Sequence, residues 1–191
     1  SRKTFPKQFI PLLEGKSLLQ LTLERVAPLL GAQTGSITCV SSEDHRFLLS
    51  DVADQTGLTV GQILEPQPKN TAAAMALAAL AAPADALLLF CPADQHIPDT
   101  EAFVHMVHAA AATAQSGQLV TFGVQPSQPS TAYGYIHKGS PAKDGGFKVA
   151  RFIEKPPLDK ALTFLSSGEY LWNAGIFLVR AQSLLDALQA H

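Results

Sequence analysis

Six consecutive apolar residues, Ala86-Leu87-Leu88-Leu89-Phe90-Cys91, run without a polar break between Asp85 and Pro92. A strand with one wet face alternates apolar and polar residues. A continuous run therefore predicts a strand covered on both faces, as strands of parallel sheets are. Such a strand needs helices on both sides, and the flanking sequence supplies them. Ser17 is placed to cap a helix over 17–31, and a second helix is expected from Ser41/Ser42 to about residue 57. Asn70-Thr71 opens an alanine-rich helix that stops at Pro83 and reads as buried. A further helix is expected over 100–116. Strands are expected over 36–40, 59–64 and 118–124. This alternation with short joins predicts a doubly wound α/β layer structure. After Val124 the pattern becomes more hairpin-like. Strands are expected over 133–137, 147–153 and 171–179, with helices over 158–166 and 181–190.

Charge narrows the function classes. The net charge is −2 and charged residues make up 16% of the 191 residues, so no global basic field points to nucleic acid. The basic residues are scattered: Arg2, Lys3 and Lys7 early, then Lys138, Lys143, Lys148, Arg151 and Lys155 late. A phosphate pocket needs only a few, placed locally. Residues 1–8 carry no apolar core of a signal peptide, and no run approaches the roughly 20 apolar residues of a membrane span. Cys39 and Cys91 each sit in an apolar run, outside any CxxC or Cys/His cluster. They read as buried, reduced thiols of a cytoplasmic protein.

Pro92-Ala93-Asp94 directly follows the most apolar strand. In open α/β sheets, ligands bind beyond the carboxyl ends of the strands. A carboxylate there could hold Mg²⁺, which takes one or two protein carboxylates plus substrate phosphates. Asp94 could equally cap the next turn, and spacing alone does not choose. Asn70-Thr71 could cap its helix or present groups to a nucleotide. Lys155, in Glu154-Lys155-Pro156-Pro157, ends a strand as a compact charge suited to phosphate or as a solvated lysine. Gly175, in Trp172-Asn173-Ala174-Gly175, interrupts an apolar strand and marks either close ligand approach or a bulge. Tyr133-Gly134-Tyr135 invites the same two readings. His105 and His108 have i,i+3 spacing but no third ligand, and read as a surface or partly buried pair. Gly15 and Gly61 form no Walker or GxGxxG motif, and the nucleophile motif GxSxG is absent.

The ordered set of short motifs resembles the mannose-1-phosphate guanylyltransferase family, in the bacterial branch often fused to a mannose-6-phosphate isomerase domain. The segments are Phe5-Pro6-Lys7-Gln8-Phe9-Ile10-Pro11-Leu12, Glu65-Pro66 with Lys69-Asn70-Thr71-Ala72, Pro92-Ala93-Asp94, and Thr121-Phe122-Gly123-Val124. They continue with Tyr133-Gly134-Tyr135-Ile136, Phe152-Ile153-Glu154-Lys155-Pro156, and Gly168-Glu169-Tyr170 with Trp172-Asn173-Ala174-Gly175-Ile176-Phe177. The resemblance implies a GT-A-like, Rossmann-like three-layer nucleotidyltransferase domain with a mixed central sheet. It implies direct transfer of GMP from GTP to mannose 1-phosphate, giving GDP-mannose and pyrophosphate, with Mg²⁺ as cofactor.

Carried over by position, Lys7 resembles the family's phosphate-contacting lysine and Asp94 a Mg²⁺ ligand. Glu65, Lys69, Asn70 and Thr71 resemble the guanine-binding segment. Tyr133, Gly134, Glu154, Lys155, Asn173 and Gly175 resemble the sugar-phosphate pocket, with Lys155 as phosphate partner. A homo-oligomer is compatible with the resemblance. Three departures accompany it: Gln95 stands where the family usually has histidine, and Ser130 and Ala132 replace the expected glutamate and glycine. The family's glycine- and arginine-rich loop is expected ahead of Ser1, and a second metal-binding aspartate beyond residue 191. The chain thus reads as a single core over 1–191, shortened at both ends. The rival readings are a related nucleotidyltransferase with another base or sugar, and an inactive nucleotide-sugar sensor on the same fold.

Overall fold

The computed structural model describes residues 5–31, 35–67, 69–142 and 145–190. Residues 1–4, with Arg2 and Lys3, and also Pro68 and Lys143, lie outside the described residues. A 3-10 turn over Lys7–Phe9 leads into a small antiparallel hairpin, β1 (Pro11–Leu13) and β2 (Lys16–Ser17). Its two turn residues, Glu14 and Gly15, both have positive φ, as the tightest hairpin turns require. Ser17 caps α1 (Leu18–Val26) by accepting from the Gln20 amide. β3 (Ile37–Ser42) then pairs in parallel with β4 (Val60–Glu65), and α2 (Arg46–Thr56) crosses between them. The second helix thus starts later than Ser41/Ser42. Those serines pair with Leu64 and Glu65 and belong to the strand, and residues 43–45 form a 3-10 turn.

Asn70 caps α3 (Thr71–Ala81) by accepting from the Ala73 amide, and the next strand is β5 (Leu87–Phe90). α4 (Thr100–Gln115) is capped by Asp99 and leads to β6 (Val120–Val124). The hairpin of β7 (Tyr135–Pro141) and β8 (Phe147–Ile153) follows. α5 (Leu158–Ser167), β9 (Tyr170–Arg180) and α6 (Ala181–Gln189) complete the chain.

β9 is the spine of a five-stranded sheet. Trp172 pairs with both Val124 and Tyr135, and Phe177 with both Phe90 and Thr121. β6 therefore holds one edge of β9, while β5 and β7 share the other. Alternate side chains of β9 point into opposite layers. Ile176 and Leu178 join Phe103 and Val107 of α4 in one core cluster. Val179, flanked by Phe177, joins Met75 and Ala79 of α3 and Leu184 of α6 in another. The same alternation explains the apolar run: Leu87, Leu89 and Cys91 pack toward α4, and Leu88 and Phe90 toward α3 and α6. The three-layer α/β architecture and the doubly covered strand are both present.

Two expectations change. β5 pairs with β9 antiparallel rather than in a parallel array. Burial on both faces dictates an unbroken apolar sequence but is indifferent to the direction of the neighbouring strand. The alanine-rich α3 is buried only along Met75 and Ala79, with Leu80 and Leu77 exposed. Small side chains bring one helix stripe close to the sheet, and the composition does not reveal that the far face is wet.

Candidate active site

The loop leaving β5 carries Asp94 out past the end of the strand. Lys7, from the 3-10 turn near the start of the sequence, meets it with Nζ 2.8 Å from Oδ2. The side chains are 66% and 41% exposed, so the pair lies at an open surface. The hydrogen bond from the ammonium to Asp94, and then the carboxylate's charge, raise the Lys7 pKa above its ordinary value.

The turn that presents Asp94 is tied to β9. The Gln95 side-chain amide donates to the Ala174 carbonyl at 2.6 Å. Gly175, next in the chain, has φ +68°, and a Cβ there would come 3.3 Å from Pro92 Cγ. A glycine fits because the strand kinks into left-handed backbone where the Asp94 loop presses on it. The Asn173 carboxamide oxygen accepts from the Gly175 amide and holds that kink.

Asn173 links this corner to the rest of the candidate pocket. Its amide donates to the Gly134 carbonyl at 2.8 Å. A Cβ on Gly134 would sit 2.7 Å from Glu154 Oε2, so the glycine leaves room for the Glu154 carboxylate. The Glu154 carboxylate in turn lies 3.3 Å from Lys155 Nζ. Lys155 has φ 42°, which side-chain-bearing residues seldom adopt, and it precedes the buried Pro156. Tyr133 stands edge-on to Trp172 with ring centroids 5.0 Å apart. Its approach is fixed by the wholly buried Tyr135, whose hydroxyl donates to the Ser130 carbonyl and accepts from the Ser130 amide. Lys7, Asp94, Gly175, Asn173, Gly134, Tyr133, Glu154 and Lys155 thus form one connected surface, although they come from five stretches of sequence.

Glu65, Lys69, Asn70 and Thr71 sit apart from that network. Glu65 closes β4 and is buried, while Lys69, Asn70 and Thr71 are exposed at the start of α3. None of them shares a side-chain hydrogen bond or ion pair with the Asp94 group among the described residues. The Asn70 side-chain oxygen is spent on the helix cap. The short join from α3 to β5, and the packing of α3 on that strand, fold the helix back along it. That places the Asn70 end of α3 toward the carboxyl end of β5, from which the Asp94 loop leaves.

No group of three or more His, Cys, Asp or Glu is placed to hold a metal ion among the described residues. His105 and His108 are exposed on α4. One open carboxylate, already paired with a cation, suits a Mg²⁺ that arrives on substrate phosphates rather than a metal caged by protein. Both cysteines are free and partly buried, and burial pushes each thiol up to about 11. Neither is a thiolate nucleophile at neutral pH. No helix is long and apolar enough to cross a membrane among the described residues.

Sequence reasoning missed Arg25, which is 2% exposed beneath the Asp94 turn. The signal was present: Arg25 falls on the same stripe of α1 as Leu18 and Thr22, where an apolar residue is expected. Trp172, noted in the sequence only as part of its motif, has a buried indole nitrogen without a hydrogen-bond partner among the described residues.

Comparison with known proteins bears on the family and the fold. The nucleotidyl transferase family matches residues 2–191. The xanthan biosynthesis protein XanB of Xanthomonas campestris pv. campestris (strain B100) is 47% identical over 193 residues, covering 99% of this chain and 40% of that protein. The mannose-1-phosphate guanylyltransferase of Escherichia coli (strain K12) is 42% identical over 201 residues, covering 100% of this chain and 41% of that protein. The chain therefore spans about 40% of the length of these relatives. A crystal structure described as mannose-6-phosphate isomerase from Helicobacter pylori superposes with a TM-score of 0.88 at 39% identity, covering 100% of this chain and 72% of that one. The fold and the match along nearly the whole sequence agree: this chain belongs to the nucleotidyl transferase family, among relatives named mannose-1-phosphate guanylyltransferase.

Proposed function

We propose that this chain is the core of an enzyme that transfers GMP from GTP to mannose 1-phosphate, releasing pyrophosphate and forming GDP-mannose for polysaccharide precursor synthesis. The observation that carries the reading is the run of contacts from Lys7 and Asp94 through Gln95 and Asn173 to Gly134, against which Glu154 packs beside Lys155. It puts a phosphate-type cation at each end of one surface.

In this reading a phosphate oxygen of mannose 1-phosphate attacks the α-phosphorus of GTP. The bond to the β-phosphate oxygen breaks, and pyrophosphate carries away the electron pair. No protein nucleophile is required, so the work is positioning and charge neutralisation. Lys155 holds the sugar phosphate as a point charge, and Lys7 sits against the triphosphate. Glu154, Asn173 and the Gly134 backbone contact the sugar, with Tyr133 on one flank. Glu65, Lys69, Asn70 and Thr71 face the guanine base. Asp94 would hold Mg²⁺ brought by GTP, which supplies neutralisation of the phosphate charge when bound.

The test is pyrophosphate release by the full-length protein. GTP with mannose 1-phosphate is expected to give Mg²⁺-dependent turnover. No release with that pair, but turnover with UTP or dTTP and glucose 1-phosphate, would overturn the substrate assignment. Tight GDP-mannose binding by calorimetry with no turnover would make the chain a sensor.

A further inference from the structure

Arg25 is a buried cation. Among the described residues its guanidinium has no carboxylate partner and its Nε has no hydrogen-bond partner. Burial lowers its pKa below the ordinary arginine value. A guanidinium nonetheless stays charged, and an unpaired charge is costly to bury. A methionine or leucine at this place on the α1 stripe would serve packing alone at less expense.

The groups that the guanidinium does reach are informative. One terminal nitrogen donates to the Thr22 hydroxyl at 3.3 Å, and that hydroxyl donates to the Leu18 carbonyl at 2.9 Å. The other donates to the Gln95 carbonyl at 3.4 Å. The plane lies over the Phe103 ring of α4, 5.3 Å from its centroid. Gln95 then reaches across to the Ala174 carbonyl, between Asn173 and Gly175. A single chain of hydrogen bonds therefore runs from α1, through the backbone of the residue after Asp94, to the kink in β9.

We propose that Arg25 is a positioning residue for Asp94, acting with Gln95 as a brace that fixes the turn after β5 between α1 and β9. The catalytic consequence rests on the proposed function; the brace itself does not. Two acceptors of the brace, the Gln95 and Ala174 carbonyls, are backbone groups, so it sets the turn's path rather than touching substrate. The uncompensated charge is retained because a forked, charged donor is a stronger tether than any neutral side chain.

Arg25→Met and Gln95→Ala test the brace. Amide hydrogen exchange is followed at Asp94–Ile97 and, as an internal control, in α2, alongside denaturant unfolding and steady-state kinetics of the full-length protein. The expected result for Arg25→Met is unfolding stability equal to or above wild type, because an unpaired buried charge is gone. At the same time, exchange at Asp94–Ile97 rises roughly tenfold or more while α2 is unchanged. Gln95→Ala, at a half-buried position, gives the same local loosening if Arg25→Met does not fold. In turnover, kcat falls roughly tenfold or more with little change in KM for GTP, as when geometry rather than affinity is lost. Unchanged exchange in the turn, or a rise that only follows a global loss of stability, would show Arg25 to be a packing residue and overturn the proposal. If wild type transfers no GMP, the proposed function fails, while the exchange comparison still decides the brace.

Discussion

Lys7 and Asp94 meet as an ion pair at 2.8 Å, one from the first turn of the described chain and the other from the loop after β5. The contact is open to water on both sides, and exposed pairs contribute about 0–1 kcal/mol to stability. A pair so weakly stabilising, beyond the carboxyl end of β5, is better suited to meeting charged ligands than to holding the fold.

Asp94→Asn therefore separates function from folding. Unfolding free energy should change by no more than about 1 kcal/mol. Turnover of GTP and mannose 1-phosphate should fall by roughly a hundredfold or more, since a charge poised at the phosphates is lost. Chemical denaturation and pyrophosphate release, measured on the same preparations, check both halves. Equal loss of stability and turnover would make Asp94 a structural cap.

Gly134→Ala probes the space reserved for Glu154. The added Cβ would come 2.7 Å from Glu154 Oε2, the far end of an exposed and flexible side chain. The chain should fold with a cost under about 1 kcal/mol, because the carboxylate can swing away. KM for mannose 1-phosphate should rise, because the carboxylate is no longer where the sugar would meet it. Combining Gly134→Ala with Glu154→Ala should give the same KM as Glu154→Ala alone. That non-additivity is the signature of one shared contact; additive losses would mean that the two residues act separately.

Much of this was legible in the sequence, and the reasons are local. The run from Ala86 to Cys91 revealed a doubly covered strand, and Ser17 and Asn70 marked helix starts at the residues where their side chains now cap. What stayed hidden were pairings between distant residues. β5 gives no sign that its neighbour is the antiparallel β9, because apolar packing carries no direction. By resemblance Lys7 is expected at phosphate and Asp94 at Mg²⁺, but nothing in the sequence says that the two side chains touch. Only the fold makes them a pair. The contact from Arg25 to Gln95 stayed hidden for the same reason: the charge on the buried stripe of α1 can be seen in the sequence, but its acceptor cannot.

Lys155 holds strained backbone at φ 42°. Left-handed backbone costs a side-chain-bearing residue about 1–2 kcal/mol and glycine almost nothing. Lys155→Gly should therefore be about 1 kcal/mol more stable than Lys155→Ala, the reverse of the usual order in loops and helices. Both variants should raise KM for mannose 1-phosphate with a smaller effect on kcat, as loss of a ground-state phosphate contact does. Thermal melts of the two variants and initial rates at varied mannose 1-phosphate test this. An effect confined to GTP would move Lys155 to the nucleotide side.

Alkaline pH should loosen the fold through its thiols. Burial raises Cys39 and Cys91 from 9.0 to about 11 in the folded chain, with the Arg25 charge opposing the rise at Cys91. In the unfolded chain both thiols ionise near their ordinary value, so the unfolded state binds fewer protons above that pH. The stabilisation is complete below about 9 and is lost as pH climbs through about 11. Lys7 contributes with the same sign only above 10.5, its unperturbed value. Denaturant midpoints measured between about pH 8 and 10 should thus fall with pH, mainly on account of the thiols. Replacing both cysteines with alanine should flatten that slope while lowering stability at pH 8 through lost packing. A slope that survives the double substitution would place the titrating groups elsewhere.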